Sequence, residues 1–279
     1  MKGILNETDH PKTSAVLKST FYWILFLIFL WVSGAQLARL FPSFWFNCVY
    51  GIGGTLGALM ATWIMLKIEK RSFADYGLIW QKRTFFNFFT GLLTGTLIFL
   101  SIIIFLLVFT DLQLIKNPVS WNLASSYWYL FFIPLALMEE IAFRAYPFLQ
   151  LKKAFGIRAT LYITAIVFAL YHVLNGWDYQ VAFLGPGIWA MIFGLSAVLS
   201  KGIAVPTGIH VALNVIQQVI GTKAGETEPV WILQQKEGAS VQTIAHTEWM
   251  GIISQLLVLI AAIILAEYHI RKKQDKYAA

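Results

Sequence analysis

The chain has 279 residues, is 58% hydrophobic with a mean hydropathy of +0.67, and carries only 13% charged residues. An ordinary soluble domain is roughly 45–50% apolar and about 25% charged, so that class is excluded. The net charge of +7 sits between apolar segments, which argues for a membrane-surface bias and against nucleic acid, and the single cysteine, Cys48, excludes an intrachain disulfide framework and a cysteine-rich metal site.

Taken in order, apolar windows near bilayer-crossing length fall at 20–41, 45–67, 85–109, 127–151, 157–176, 180–200, 203–221 and 249–270. The first is longer than a secretory signal core and reads as a retained span. The fifth to seventh are short and interrupted by Gly185-Pro186-Gly187, Gly202, Pro206 and Gly208. Broken helices at membrane depth must be enclosed by protein, because lipid cannot satisfy freed backbone groups. The expected fold is therefore an all-α polytopic membrane protein of about eight transmembrane helices. It forms a single transmembrane domain over 1–279 with a site-bearing core over about 127–221.

Charge gives the orientation. With an even number of spans and the N-terminus inside, Lys12, Lys18, Lys67, Lys70, Arg71, Lys82, Arg83, Lys152, Lys153, Arg158, Lys201 and the tail Arg271, Lys272, Lys273 and Lys276 are cytoplasmic, as is Lys2. Arg39, Lys116, Lys223 and Lys236 fall outside, and 222–248, with Glu226, Glu228, Glu237 and Glu248, is the largest outer loop. Both termini are expected in the cytoplasm by the positive-inside rule.

The fourth window, YWYLFFIPLALMEEIAFRAYPFLQL, holds Glu139, Glu140 and Arg144 within two turns. Each ionisable group at the centre of a membrane helix costs roughly 2.5–3.5 kcal/mol, so three together mark a site facing protein or trapped water. Glu140 and Arg144, four residues apart, share a helix face and can neutralise each other. Glu139 points about 100° away and is left as a candidate base. The fifth window ends in Phe168-Ala-Leu-Tyr171-His172, and the seventh carries His210-Val-Ala-Leu-Asn214, with histidine and asparagine on one face. A histidine alone in an apolar helix is more often a core residue, but both histidines that lie within windows belong to these clusters. Carboxylate, imidazole and amide together supply a base for water and donors for an oxyanion. At 1.5 Å per residue, Glu139 is roughly 18 Å below the outer start of its window and His210 about 10 Å above the inner start of its own. That puts the two level, whereas the same arithmetic puts His172 nearer the outer face.

Glu139-Glu140-x-x-x-Arg144, Phe168-x-x-x-His172 and His210-x-x-x-Asn214, in that order on membrane segments, resemble the three motifs of the CPBP intramembrane proteases. That family includes the CAAX prenyl endopeptidase of eukaryotes and bacterial relatives linked to bacteriocin processing or self-immunity. The resemblance implies an endopeptidase in which Glu139 and His172 activate water and His210 and Asn214 hold the oxyanion. Glu140 and Arg144 would organise the site, with Phe168 packing beside His172. It also implies an integral protein of a bacterial plasma membrane acting on a membrane-associated protein or peptide. The cofactor reading is none, with a divalent metal such as zinc kept open on Glu139, His172 and His210, although the His-Glu-x-x-His helix of zincins is missing. The alternative reading is a non-catalytic membrane protein that binds a peptide, such as a bacteriocin-immunity factor. A proton-relaying transporter is disfavoured by the absence of repeat symmetry.

Overall fold

A computed structural model describes residues 11–37, 39–42, 45–119, 123–223 and 228–278, so Lys2 and Glu226 lie outside the described residues. Helix α1, Lys12–Phe29, runs on through a π-helical stretch, Leu30–Gln36. Next come α2, Phe46–Glu69, and α3, Thr84–Phe109. A 3₁₀ segment, Leu123–Phe131, leads into α4, Phe132–Arg144, and the chain bends at Ala145 into α5, Tyr146–Leu174. The short α6, Tyr179–Ala182, a π-helical turn at Phe183–Gly187 and α7, Ile188–Ser200, follow. Helices α8, Ala204–Val219, and α9, Val241–Ala278, complete the fold.

An all-α polytopic membrane protein is what these elements make, but the count of spans differs from the reading by windows. Among the described residues, six helical stretches are long and apolar enough to cross a membrane: Lys12–Ser33, Cys48–Glu69, Thr84–Phe109, Tyr127–Leu174, Tyr179–Ser200 and Val241–Asp275. The fourth and fifth windows fall in one 48-residue stretch. It is articulated at Ala145 and again at Gly156, whose φ of 75° departs from helical geometry. The seventh window became α8, which at 16 residues is short of bilayer length.

Tertiary packing decides where α8 sits. It crosses α3 at backbone contact: a Cβ on Gly91 would lie 2.1 Å from Val205 O, and one on Gly208 would lie 2.1 Å from Phe88 O. Gly91 and Gly95 form a small-x-x-x-small face of the kind that lets membrane helices approach closely. The core of the bundle is aromatic, with Tyr22, Phe26, Phe143, Tyr146, Phe148, Phe168 and Phe193 almost completely buried. Leu93, Leu97 and Ile104 of α3 and Ile260 and Ile264 of α9 face outward, where lipid takes the place of a core.

Two ends of the bundle are tied differently. At one, strands β1 (Leu112–Lys116) and β2 (Trp231–Gln235) pair antiparallel, a ribbon the sequence reading did not anticipate. At the other, Glu69 gathers Lys18 Nζ at 2.7 Å, the Tyr76 and Tyr146 hydroxyls, each at 2.9 Å, and Gln150 Nε2 at 2.8 Å. That knot joins α1, α2, the 73–76 turn and α5.

Candidate active site

Helices α4, α5, α7 and α8 converge on a cavity of about 600 Å³ lined by Glu139, Phe168, His172, His210 and Asn214. Glu140 and Arg144 stand behind its wall, almost wholly buried. The structure thus brings the three motif clusters together, with His172 near the end of α5, two residues before Leu174.

Hydrogen bonding orients both imidazoles. His172 Nδ1 lies 2.9 Å from Phe168 O, which can only accept, so Nδ1 carries the proton and Nε2 presents its lone pair. His210 Nδ1 lies 2.9 Å from Glu140 Oε1, and its Nε2 is 3.6 Å from Glu139 Oε2. With Nδ1 donating to Glu140, Nε2 of His210 is turned toward Glu139 and the cavity. Its ring stacks on Phe193 at 4.6 Å.

Arg144 is held by rings as much as by charge. Its guanidinium lies 4.4 Å from the Phe168 ring centroid and 5.2 Å from that of Phe193, and Nη2 donates to Ala190 O at 3.4 Å. Arg144 Nε is 3.4 Å from Glu140 Oε2, within ion-pair reach but not aligned as a hydrogen bond. Phe168 therefore packs between Arg144 and His172, whose ring centroid is 4.7 Å away. Glu139 Oε2 makes no protein hydrogen bond. A buried carboxylate oxygen in that state calls for a polar partner from the cavity.

A family model for the Rce1-like type II CAAX prenyl endopeptidases matches residues 119–216. Over those residues the chain is similar to an Rce1-like domain. Every motif residue from Glu139 to Asn214 falls inside the match, as do α4, α5, α7 and most of α8. No curated protein sequence matches the chain.

Beyond the end of the Rce1-like match, Lys223 returns to the cavity and donates to Asn214 Oδ1 at 2.6 Å. A lysine ammonium can only donate, so this bond assigns the carbonyl end of Asn214 to Lys223 and leaves the NH₂ end as donor. Burial pushes the Lys223 ammonium below its usual range, and the charge of Glu139 opposes that shift. Sequence reasoning placed Lys223 among outer-loop charges. Nothing in the spacing signalled it, because α8 ends at Val219 and the chain then turns back through Gly221, whose φ is 71°.

The donor types of Glu139, His172 and His210 suit zinc, and an imidazole fixed through Nδ1 is how metal-bound histidines are commonly held. Among the described residues no three His, Cys, Asp or Glu side chains form a group that could hold a metal ion.

Proposed function

We propose that the protein is an intramembrane endopeptidase that hydrolyses peptide bonds of membrane-associated proteins or peptides. The observation that carries this reading is the convergence of Glu139, His172, His210 and Asn214 on one cavity within the Rce1-like domain. A water held between Glu139 Oε2 and His172 Nε2 gives up a proton to this pair as its oxygen bonds to the scissile carbonyl carbon. The oxyanion that develops takes hydrogen bonds from the Asn214 amide and from His210 Nε2–H. Collapse of the tetrahedral intermediate breaks the C–N bond, and the proton taken from water is delivered to the leaving amine. Glu140 orients the His210 ring through Nδ1, while Arg144 balances the charge of Glu140.

The test compares membrane-associated peptides in cells bearing the wild type or Glu139→Gln at matched levels of folded protein. Cleavage products present with the wild type and lost in the variant are expected. Identical peptide profiles would reject the protease reading and favour a peptide-binding protein with an intact but silent site.

A further inference from the structure

The cavity has a mouth, and the mouth lies at one end of the bundle. Its solvent-exposed lining residues are Asn175 and Trp177, just past the end of α5, Val181 on the short α6 that follows, and Thr222, just past the end of α8. Tyr50, near the start of α2, and Gln255, in the first half of α9, line it from the same end. That is also the end of the β1–β2 ribbon: Leu233 N donates to Ile220 O and Val230 N to Val219 O, which fixes the chain around Thr222 against the ribbon. The opposite end opens into a separate apolar cavity lined by Trp80, Phe85 and Lys201, among others, with no motif residue in its wall.

The two ends differ in charge. Lys67, Lys70, Arg71, Lys82, Arg83 and Lys201 surround the end away from the mouth. The mouth end carries Arg39, Lys116, Lys223 and Lys236, offset by Asp111, Asp178, Glu228, Glu237 and Glu248. Because α2, α3 and α9 run the full distance between the ends, the asymmetry belongs to the two faces of the membrane. Lysine and arginine are retained on the cytoplasmic side. Helix packing sets the position of the mouth and residue usage in the loops sets the charge asymmetry, so the two observations are independent.

We infer that the active-site mouth opens to the extracytoplasmic side of the membrane, and that the substrates are peptide segments presented there, not prenylated C-termini in the cytoplasm. This inference rests on the protease reading for the word substrate, but its geometry does not. A peptide entering between Trp177 and Thr222 reaches Glu139 and His172 without crossing the basic end. The cavity size lies within the usual range for ligand pockets, roughly 300–1,000 Å³, which admits a short extended segment and not a folded domain.

The test places single cysteines at Asn175, Thr222 and Lys82 in a Cys48→Ala background and treats sealed right-side-out and inverted membrane vesicles with a membrane-impermeant maleimide. Labelling in detergent confirms that each cysteine reacts. The Asn175→Cys and Thr222→Cys proteins should label in right-side-out vesicles and be spared in inverted ones, with Lys82→Cys showing the reverse. Labelling of the two mouth positions only from the cytoplasmic side, or from neither side in membranes, overturns the inference. Among cleavage products lost in Glu139→Gln, the cut sites should map to extracytoplasmic segments. Cut sites at cytoplasmic C-termini would reject the substrate assignment and leave the protease standing, whereas outward labelling with no products would reject the protease and leave the orientation of the mouth.

Discussion

At the scale of single residues, two neighbouring carboxylates have been given different work by their surroundings. Glu139 faces the cavity with one oxygen lacking a protein hydrogen bond, whereas Glu140 is sealed between His210 and Arg144. Glu140→Gln therefore strikes stability as well as turnover, since it leaves Arg144 as a buried charge without a counter-ion. A loss of about 3–5 kcal/mol is expected for breaking such a pair, read as a lowered thermal midpoint in detergent. Glu139→Gln, at the cavity wall, should melt close to the wild type, and equal destabilisation by both would overturn the division of roles. Asn214 and Lys223 act as a donor and its anchor. Asn214→Ala should reduce kcat by about 10²–10³ with KM little changed, as expected for a lost oxyanion donor. Lys223→Met should reproduce part of that loss in kcat, and Lys223→Arg, which still donates to Oδ1, should restore it. A defect confined to KM would instead make Lys223 a substrate-binding residue. Elemental analysis of purified active protein should find no stoichiometric transition metal. One metal per chain, lost in both His172→Ala and His210→Ala and required for activity, would replace the paired base with a metal-bound water.

At the scale of elements, the strong spans were legible because their apolar runs are long, and the motif clusters because charge in such runs is costly. What remained hidden depends on tertiary contact. Pro206 and Gly208 made the seventh window read as weak, yet Gly208 is the point at which α3 meets α8 at backbone distance, and Gly91 and Gly95 are its counterparts. No hydropathy window weighs a missing side chain as packing. The β1–β2 ribbon escaped for a related reason: LQLIK and WILQQ lie more than a hundred residues apart and gain meaning only by pairing. Gly208→Val should force α3 and α8 apart, displacing His210 and Asn214 together. Loss of activity with a lower thermal midpoint is expected, while Gly251→Ala on α9, where an added Cβ meets no atom within 4 Å, should be tolerated. Full activity in Gly208→Val would show that the helix crossing does not position the site.

Across the whole molecule, the two ends carry separable tasks, and Glu69 allows that separation to be measured. It accepts hydrogen bonds from Tyr76, Tyr146 and Gln150 and pairs with Lys18. Tyr50, which lines the cavity that holds Glu139 and His172, lies on the same helix nineteen residues earlier, roughly 28 Å away at 1.5 Å per residue. Lys18 is 42% exposed and its pair contributes little, so Lys18→Met should scarcely move the thermal midpoint. Glu69→Ala differs, because it takes away the acceptor of the two tyrosine O–H groups, at about 1–3 kcal/mol for each donor left unsatisfied, while Gln150 Nε2 still donates to both hydroxyl oxygens at 3.0 Å. A midpoint lower by several degrees is expected, with kcat and KM unchanged at temperatures where the variant stays folded, since none of Lys18, Glu69, Tyr76, Tyr146 and Gln150 lines the cavity. Glu69→Gln, which keeps one acceptor oxygen, should fall between the two. A fall in kcat at an unaltered melting temperature would mean that the basic end communicates with the cavity, and that the bundle transmits what happens at the Glu69 knot to the chemistry at its mouth.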